Sequence, residues 1–185
     1  MAEILINLDN IGISLAGKKI FNGLNWEIQQ GQRIGLIGPN GAGKTTTLRM
    51  LSGLLDPSAG RIALNGQVAN HDWRELQRQI GYMPELFILY PELTVWENLN
   101  FAASIYGYPL KRKQRLLELL ELVELTGHEK KLVRDISGGM QRRLSLAATL
   151  IHDPQLIFLD EPTAGIDPVL RRKFWDYFRL LIRDS

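Results

Sequence analysis

Ile34-Gly35-Leu36-Ile37-Gly38-Pro39-Asn40-Gly41-Ala42-Gly43-Lys44-Thr45-Thr46-Thr47-Leu48-Arg49-Met50-Leu51 is the stretch around which the other residues of this 185-residue chain are organised. Its apolar opening (Ile34, Leu36, Ile37) predicts a short strand, Gly38 breaks it, and from Gly43 the run suits a helix. Between strand and helix lies Gly38-x-x-x-x-Gly43-Lys44-Thr45, the spacing of a phosphate-binding loop. Glycines let the backbone curl until successive N–H groups point inward, and the helix behind adds the positive end of its dipole. An anion belongs in such a cradle. Lys44 can reach β- and γ-phosphates as a point charge, and the Thr45 hydroxyl can ligate a Mg²⁺ ion that bridges them.

Working outward, composition narrows the classes. The length fits one domain with a substantial core, and 45% hydrophobic residues argue for an ordered globule. The 22 basic and 20 acidic residues are interspersed, so no basic footprint calls for nucleic acid. Without cysteine there are neither disulfides nor thiolate chemistry, which suits a reducing compartment. No apolar run approaches the roughly 18 residues a spanning helix needs, and the start Met1-Ala2-Glu3-Ile4 lacks a basic region before an apolar core. The chain is not expected to cross a membrane by itself.

Before the loop, Ile4, Ile6 and Leu8, then Ile11, Ile13 and Leu15, predict one or two strands, with Ile20–Ile28 returning after a turn at Gly17. After it, Asp56-Pro57-Ser58-Ala59-Gly60 is a breaker, and Arg61–Leu64 with Asn65-Gly66 predicts a strand and tight turn. Ile80–Met83 is a strand candidate ended by Pro84, while Thr94-x-x-Glu97 has capping-box spacing for a helix to about Tyr106. Lys111–Leu125 predicts an amphipathic packing helix whose basic opening, Lys111 to Arg115, is a solvated helix start. A further helix runs from Ser137 to about Ile151, and a last one begins near Val169 with Phe174, Trp175, Phe178, Leu181 and Ile182 as core.

Two more stretches carry chemistry. Leu156-Ile157-Phe158-Leu159-Asp160-Glu161 reads as a strand buried on both faces that ends in two carboxylates. Coupled to the upstream loop, Asp160 would hold Mg²⁺ and Glu161 would accept a proton from the attacking water or orient it. Ser137-Gly138-Gly139 puts a helix N-cap ahead of two residues without side chains, a second anion cradle. A chain holding one phosphate loop has little use for another on itself, so this cradle is expected to serve a neighbour's nucleotide.

With these motifs in place the chain resembles the nucleotide-binding domain of ATP-binding cassette (ABC) proteins, from about Ile4 to Ser185. G-P-N-G-A-G-K-T-T (Gly38–Thr46) is similar to the family's Walker A loop, I-S-G-G-M-Q-R-R to its signature, L-I-F-L-D-E-P-T to its Walker B strand, and Ala164–Asp167 to its D-loop. The resemblance implies an α/β fold: a P-loop NTPase with a RecA-like, mainly parallel sheet core, a small N-terminal antiparallel β subdomain and an α-helical signature subdomain at about residues 85–150, all within one domain, 1–185. It implies ATP and Mg²⁺ as cofactors, with Gly38, Pro39, Asn40, Gly41, Ala42, Gly43, Lys44, Thr45 and Thr46 around the phosphates, and Ser137, Gly138, Gly139 and Asp167 serving a second ATPase chain in a homo- or heterodimer. Lys44 and Glu161 would be catalytic and Thr45 and Asp160 metal-binding. Partners would be integral-membrane transporter subunits, placing the chain on the cytoplasmic face of the membrane.

The stretch Ile80–Leu99 followed by Phe101–Gly107 looks like the ABC-2 branch of exporters, with Phe87, Leu89, Tyr90 and Trp96 as docking candidates; core packing is the stronger expectation for Trp96. A soluble ABC ATPase acting on ribosome or DNA, or a nucleotide-binding remnant with little turnover, are the alternatives. Three positions depart from the pattern. Glu85 stands at the family's Q-loop glutamine, where it would still be catalytic and metal-binding but cannot donate when ionised. No aromatic stands at Leu15, where the adenine-stacking ring is expected, unless Phe21 substitutes. The switch histidine lies beyond Ser185, none of His71, His128 and His152 is placed to replace it, and the expectation is a truncated copy with a gap between the Walker strands and poor sustained turnover.

Overall fold

In the computed structural model, which describes residues 4–15, 17–68, 73–86, 88–108, 112–163, 168 and 171–172, the apolar alternation at the start of the chain becomes one bent strand, β1 (Ile4–Leu15). Ile6 and Leu8 are buried at even positions and Ile11 and Ile13 at odd ones. A bulge makes that change of parity possible: the register with β2 (Lys18–Gln29) shifts between Leu8 and Ile11, where Asn10 takes a left-handed φ of 53°. The backbone of Gly60 passes so close that a Cβ there would lie 2.4 Å from the Asn10 carbonyl oxygen. Gly60 itself has φ 86°, so glycine is required at this crossing for two reasons.

This first compact unit, Met1–Gln77, is built on a four-stranded sheet in the order β2-β1-β3-β4, with β3 at Ala59–Leu64 and β4 at Gln67–Val68. All its pairings are antiparallel, as the turn at Asn65-Gly66 and the returning Ile20–Ile28 segment predict. Helix α1 (Lys44–Leu51) contributes Met50 and Leu51 to the buried set, joined by Trp73 and by Leu76 of the short α2 (Arg74–Gln77).

One predicted strand does not form. Ile34–Ile37 has no regular secondary structure and pairs with no strand among the described residues, and Ile37 is 99% exposed. A strand exists only through its partners' N–H and C=O groups, and apolar composition cannot supply them.

The second unit, Arg78–Ser185, is helical around a small parallel pair. Strand β5 (Ile80–Met83) runs beside β6 (Leu156–Leu159), matching Ile80 with Leu156 and Met83 with Leu159. Within β6 only Phe158 is fully buried, so the expectation of a strand covered on both faces is corrected: its apolar residues find part of their cover. Helices α3 (Val95–Ile105), α4 (Lys113–Leu122) and α5 (Gly138–Thr149) enclose a core of Leu99, Leu116, Leu119, Leu144 and Leu146, each a burial of about 1.5–3 kcal/mol. Gly81 lets α5 lie against β5, since a Cβ there would sit 2.9 Å from the Thr149 carbonyl oxygen.

The capping box forms as read: the Glu97 N–H donates to Thr94 Oγ1, and Glu97 Oε2 accepts from the Thr94 N–H. These bonds hold the Glu97 carboxyl below its ordinary value. The basic opening of α4 is solvated only in part: Lys113 and Gln114 are exposed. Arg112 is buried and donates to Asn100 Oδ1, Ser104 Oγ and the Tyr108 carbonyl, and Arg115 donates to the Leu150 carbonyl. Long basic side chains bury their stems when acceptors lie within reach. Lys111 and the predicted helix from Val169 to the core residues Phe174, Trp175, Phe178, Leu181 and Ile182 fall outside the described residues.

Candidate functional site

Each unit carries its own set of candidate residues. In the first, the curl of the loop at 38–43 is set by two left-handed glycines, Gly41 at φ 81° and Gly43 at φ 92°. The Ala42 N–H donates to the Pro39 carbonyl, closing the turn. Gly43 is the N-cap of α1 and offers no side chain to the first-turn amides, and no acidic residue stands in that turn. Neither a side-chain cap nor an acidic first-turn residue offsets the positive end of the helix. Lys44 folds back over the loop, its Nζ donating to the carbonyls of Gly38 at 2.9 Å and Pro39 at 3.1 Å. Thr47 is buried, its hydroxyl on the Gly43 carbonyl, whereas Thr45 and Thr46 stay partly open.

Beside this turn stands an aromatic ring. A Cβ on Gly43 would lie 3.0 Å from Cζ of Phe21, so the β2 aromatic is in contact with the phosphate loop itself. Leu15, at the position where an aromatic is missing, is exposed.

In the second unit Asp160 and Glu161 follow β6 directly. The Asp160 N–H donates to the Met83 carbonyl at 2.9 Å, continuing the β5–β6 pairing by one step. Its carboxylate is 3% exposed and accepts from the Tyr82 hydroxyl at 3.4 Å. Glu161 turns the chain sharply outward, with φ 47° and an exposed side chain. A left-handed glutamate is strained by about 1–2 kcal/mol and persists only where surrounding bonds hold it.

Those bonds come from Arg142, which sequence reading missed as a site residue. Its guanidinium is 2% exposed and donates to the carbonyls of Pro84, Glu85, Asp160, Glu161 and Pro162. Burial lowers its pKa, while Glu85, Asp160 and Glu161 pull in the opposite direction; an arginine stays protonated throughout. A signal existed. On a helix, Arg142 shares a stripe with Leu146 and Thr149, all of them buried. Glu85 itself is exposed on its side-chain end.

Helix α5 opens as read, with Ser137 as N-cap accepting from the Met140 N–H at 3.3 Å. Ser137 and Gly138 are exposed, and a Cβ built on Gly138 would meet nothing within 4 Å. Asp167 and the rest of Ala164–Asp167 fall outside the described residues, as do His71 and Phe87. His152 is a packing group: it stacks on Tyr106 with ring centroids 3.8 Å apart, and its Nε2 lies 3.0 Å from the Ile80 carbonyl oxygen. Burial lowers its pKa.

Of the docking candidates, Leu89 and Trp96 pack against the core, while Tyr90 is exposed and meets Phe101 edge to face at 4.9 Å. More exposed are two residues that sequence reading passed over, Leu86 at 80% and Ile88 at 76%. The buried Asn98 fixes their loop by accepting from the Tyr90 N–H and donating to the Tyr90, Leu93 and Thr94 carbonyls.

Among the described residues no cluster of three or more His, Asp or Glu side chains could cage a metal. Thr45 in the first unit and Asp160 in the second each offer a hard oxygen, the ligand type that suits Mg²⁺. No described helix is long and apolar enough to cross a membrane.

Comparisons with known proteins show the family. The family model described as ABC transporter matches residues 21–164, and the chain belongs to that family. It is 40% identical over 168 residues to the linearmycin resistance ATP-binding protein LnrL of Bacillus subtilis (strain 168), covering 90% of this chain and 54% of that protein. It is 39% identical over 183 residues to the Nod factor export ATP-binding protein I of Rhizobium sp. (strain N33), covering 98% and 60%. The chain thus spans little more than half the length of these relatives. Among solved structures, a putative ABC transporter ATP-binding protein from Pyrococcus furiosus superposes with a TM-score of 0.83 at 28% identity, covering 97% of this chain and 86% of that one. A structure titled the ATP binding subunit of an ABC transporter gives 0.84 at 28%, covering 97% and 75%.

Proposed function

We propose that the chain is the ATP-hydrolysing part of an ABC exporter, working as one of two such chains and coupled to integral-membrane subunits on the cytoplasmic face. The observation that carries the reading is the start of α1: a left-handed Gly43 without a cap, Lys44 arched over the loop, and no acid in the first turn, a combination that only a bound polyanion completes. The names of the relatives, linearmycin resistance and Nod factor export, support export over a role on ribosome or DNA.

In this reading Gly38–Thr46 hold the triphosphate through backbone amides and Lys44, and Phe21, which lies beside Gly43, substitutes for an aromatic at Leu15. Thr45 and Asp160 would hold Mg²⁺, which when bound neutralises charge on the β- and γ-phosphates. Glu161 takes the proton of the attacking water, with Glu85 assisting through water or metal. Ser137, Gly138 and Gly139, with Asp167, complete the nucleotide site of a second copy. The exposed apolar run of Leu86, Ile88 and Tyr90 faces the membrane partner.

Glu161→Gln in the full-length protein tests this: turnover should fall by about 10²- to 10⁴-fold while ATP still binds, the usual scale for losing a general base. Turnover within a factor of about two of wild type would overturn the assignment of Glu161.

A further inference from the structure

We propose that Arg142 is a positioning residue for hydrolysis, setting the direction in which Glu161 presents its carboxylate by gripping the main chain on both sides of it. The inference rests on the assignment of Glu161 as the base. Three observations carry it. First, the Arg142 side chain is almost completely buried and donates to the main-chain carbonyls of Asp160, Glu161 and Pro162. Second, those carbonyls bracket the base: Asp160 before it, Glu161 itself, and Pro162 after it. Third, Glu161 sits in a left-handed conformation that a β-region residue would abandon if released, swinging its side chain away.

The same fork reaches the carbonyls of Pro84 and Glu85, so the segment after β5 and the turn after β6 are referenced to one planar group. Planarity matters. Five N–H donors in a fixed plane can hold several carbonyls in a set relation, whereas an ammonium offers three donors on a flexible stem. The anchor is α5, which carries Arg142 one turn after the Ser137 cap, so the presentation of the base follows the position of this helix.

The test compares Arg142→Lys and Arg142→Gln with wild type in the full-length protein, with and without Glu161→Gln. With Glu161 present, turnover at saturating ATP should fall by about 10- to 100-fold, the scale of a misplaced group, while the ATP dissociation constant stays within about threefold. In the Glu161→Gln background the same substitutions should lower the residual rate by less than about twofold, because residues acting as a unit do not add. Lysine should retain more activity than glutamine. Equal losses in both backgrounds, a loss confined to ATP affinity, or failure of both variants to fold would overturn the proposal in favour of a structural role. Unchanged turnover in the Glu161→Gln protein alone would instead overturn the assignment of the base.

Discussion

Two helices in this chain begin at glycine, and they do so for different reasons. At the start of α1, Gly43 has φ 92° and its missing Cβ makes room for Ile20 Cγ2 at 2.9 Å and for the Phe21 ring. The fold itself demands glycine there. At the start of α5, Gly138 has an ordinary helical backbone, its absent Cβ would meet nothing, and Ser137 already caps the helix. No contact among the described residues explains that glycine. A residue that local structure would tolerate as alanine, and that helix propensity would favour as alanine, fits the proposal that this surface is approached closely from outside. The glycine at the first helix start is thus accounted for by its own fold, and the proposed role for the second is to be approached by another molecule.

The largest effect expected from this contrast is on Lys44. Lys44→Ala should weaken triphosphate binding by about 10²-fold or more, since charge-assisted bonds to the phosphates contribute roughly 1.5–3 kcal/mol each. Calorimetric affinity within a few-fold of wild type would break the assignment of the loop. The glycine pair comes next. Gly43→Ala should lower stability by about 1–2 kcal/mol through its left-handed backbone, before any clash with Ile20 is counted. Gly138→Ala should leave the melting temperature unchanged or raised, by up to about 1 kcal/mol of stability, while ATP turnover drops. Loss of stability at Gly138 comparable to that at Gly43 would erase the distinction.

Ser137→Ala should remove about 1 kcal/mol by freeing the Met140 N–H, read as a lowered urea midpoint at constant slope. The smallest effect is a pH control on the second unit. Burial holds the His152 pKa below its ordinary 6.5, so the unfolded chain takes up a proton first as pH falls. The stability His152 contributes is present above about pH 6.5 and is lost progressively below it. His152→Phe, which keeps the stack on Tyr106, should flatten the fall in melting temperature between pH 7.5 and 5, by an amount measurable in matched buffers.

Much of the chain was readable where the physics is local. The strand character of Ile4–Leu15, the capping box of Thr94 and Glu97, and the Ser137 cap were legible because each depends on residues a few positions apart, whereas the bulge between Leu8 and Ile11 was not read. The Lys44 loop belongs with them, since backbone curl and lysine reach lie within one turn. Arg112 and Arg142 were read wrongly or missed for the opposite reason. Both look like solvated charges until the chain brings acceptors from elsewhere: Asn100 and Ser104 for one, Pro84 and Glu161 for the other.

What the sequence determined by itself was therefore the chemistry on offer: a phosphate loop, a carboxylate pair after an apolar strand, and a capped glycine turn in a set order. Tertiary structure alone decided which of those groups are held and by what. Ile34–Ile37 finds no ladder among the described residues because strands need partners, and Glu161 keeps a strained backbone because a buried guanidinium from α5 grips its carbonyl. Hydrogen-bonding capacity is written residue by residue, but its satisfaction is a property of the folded neighbourhood.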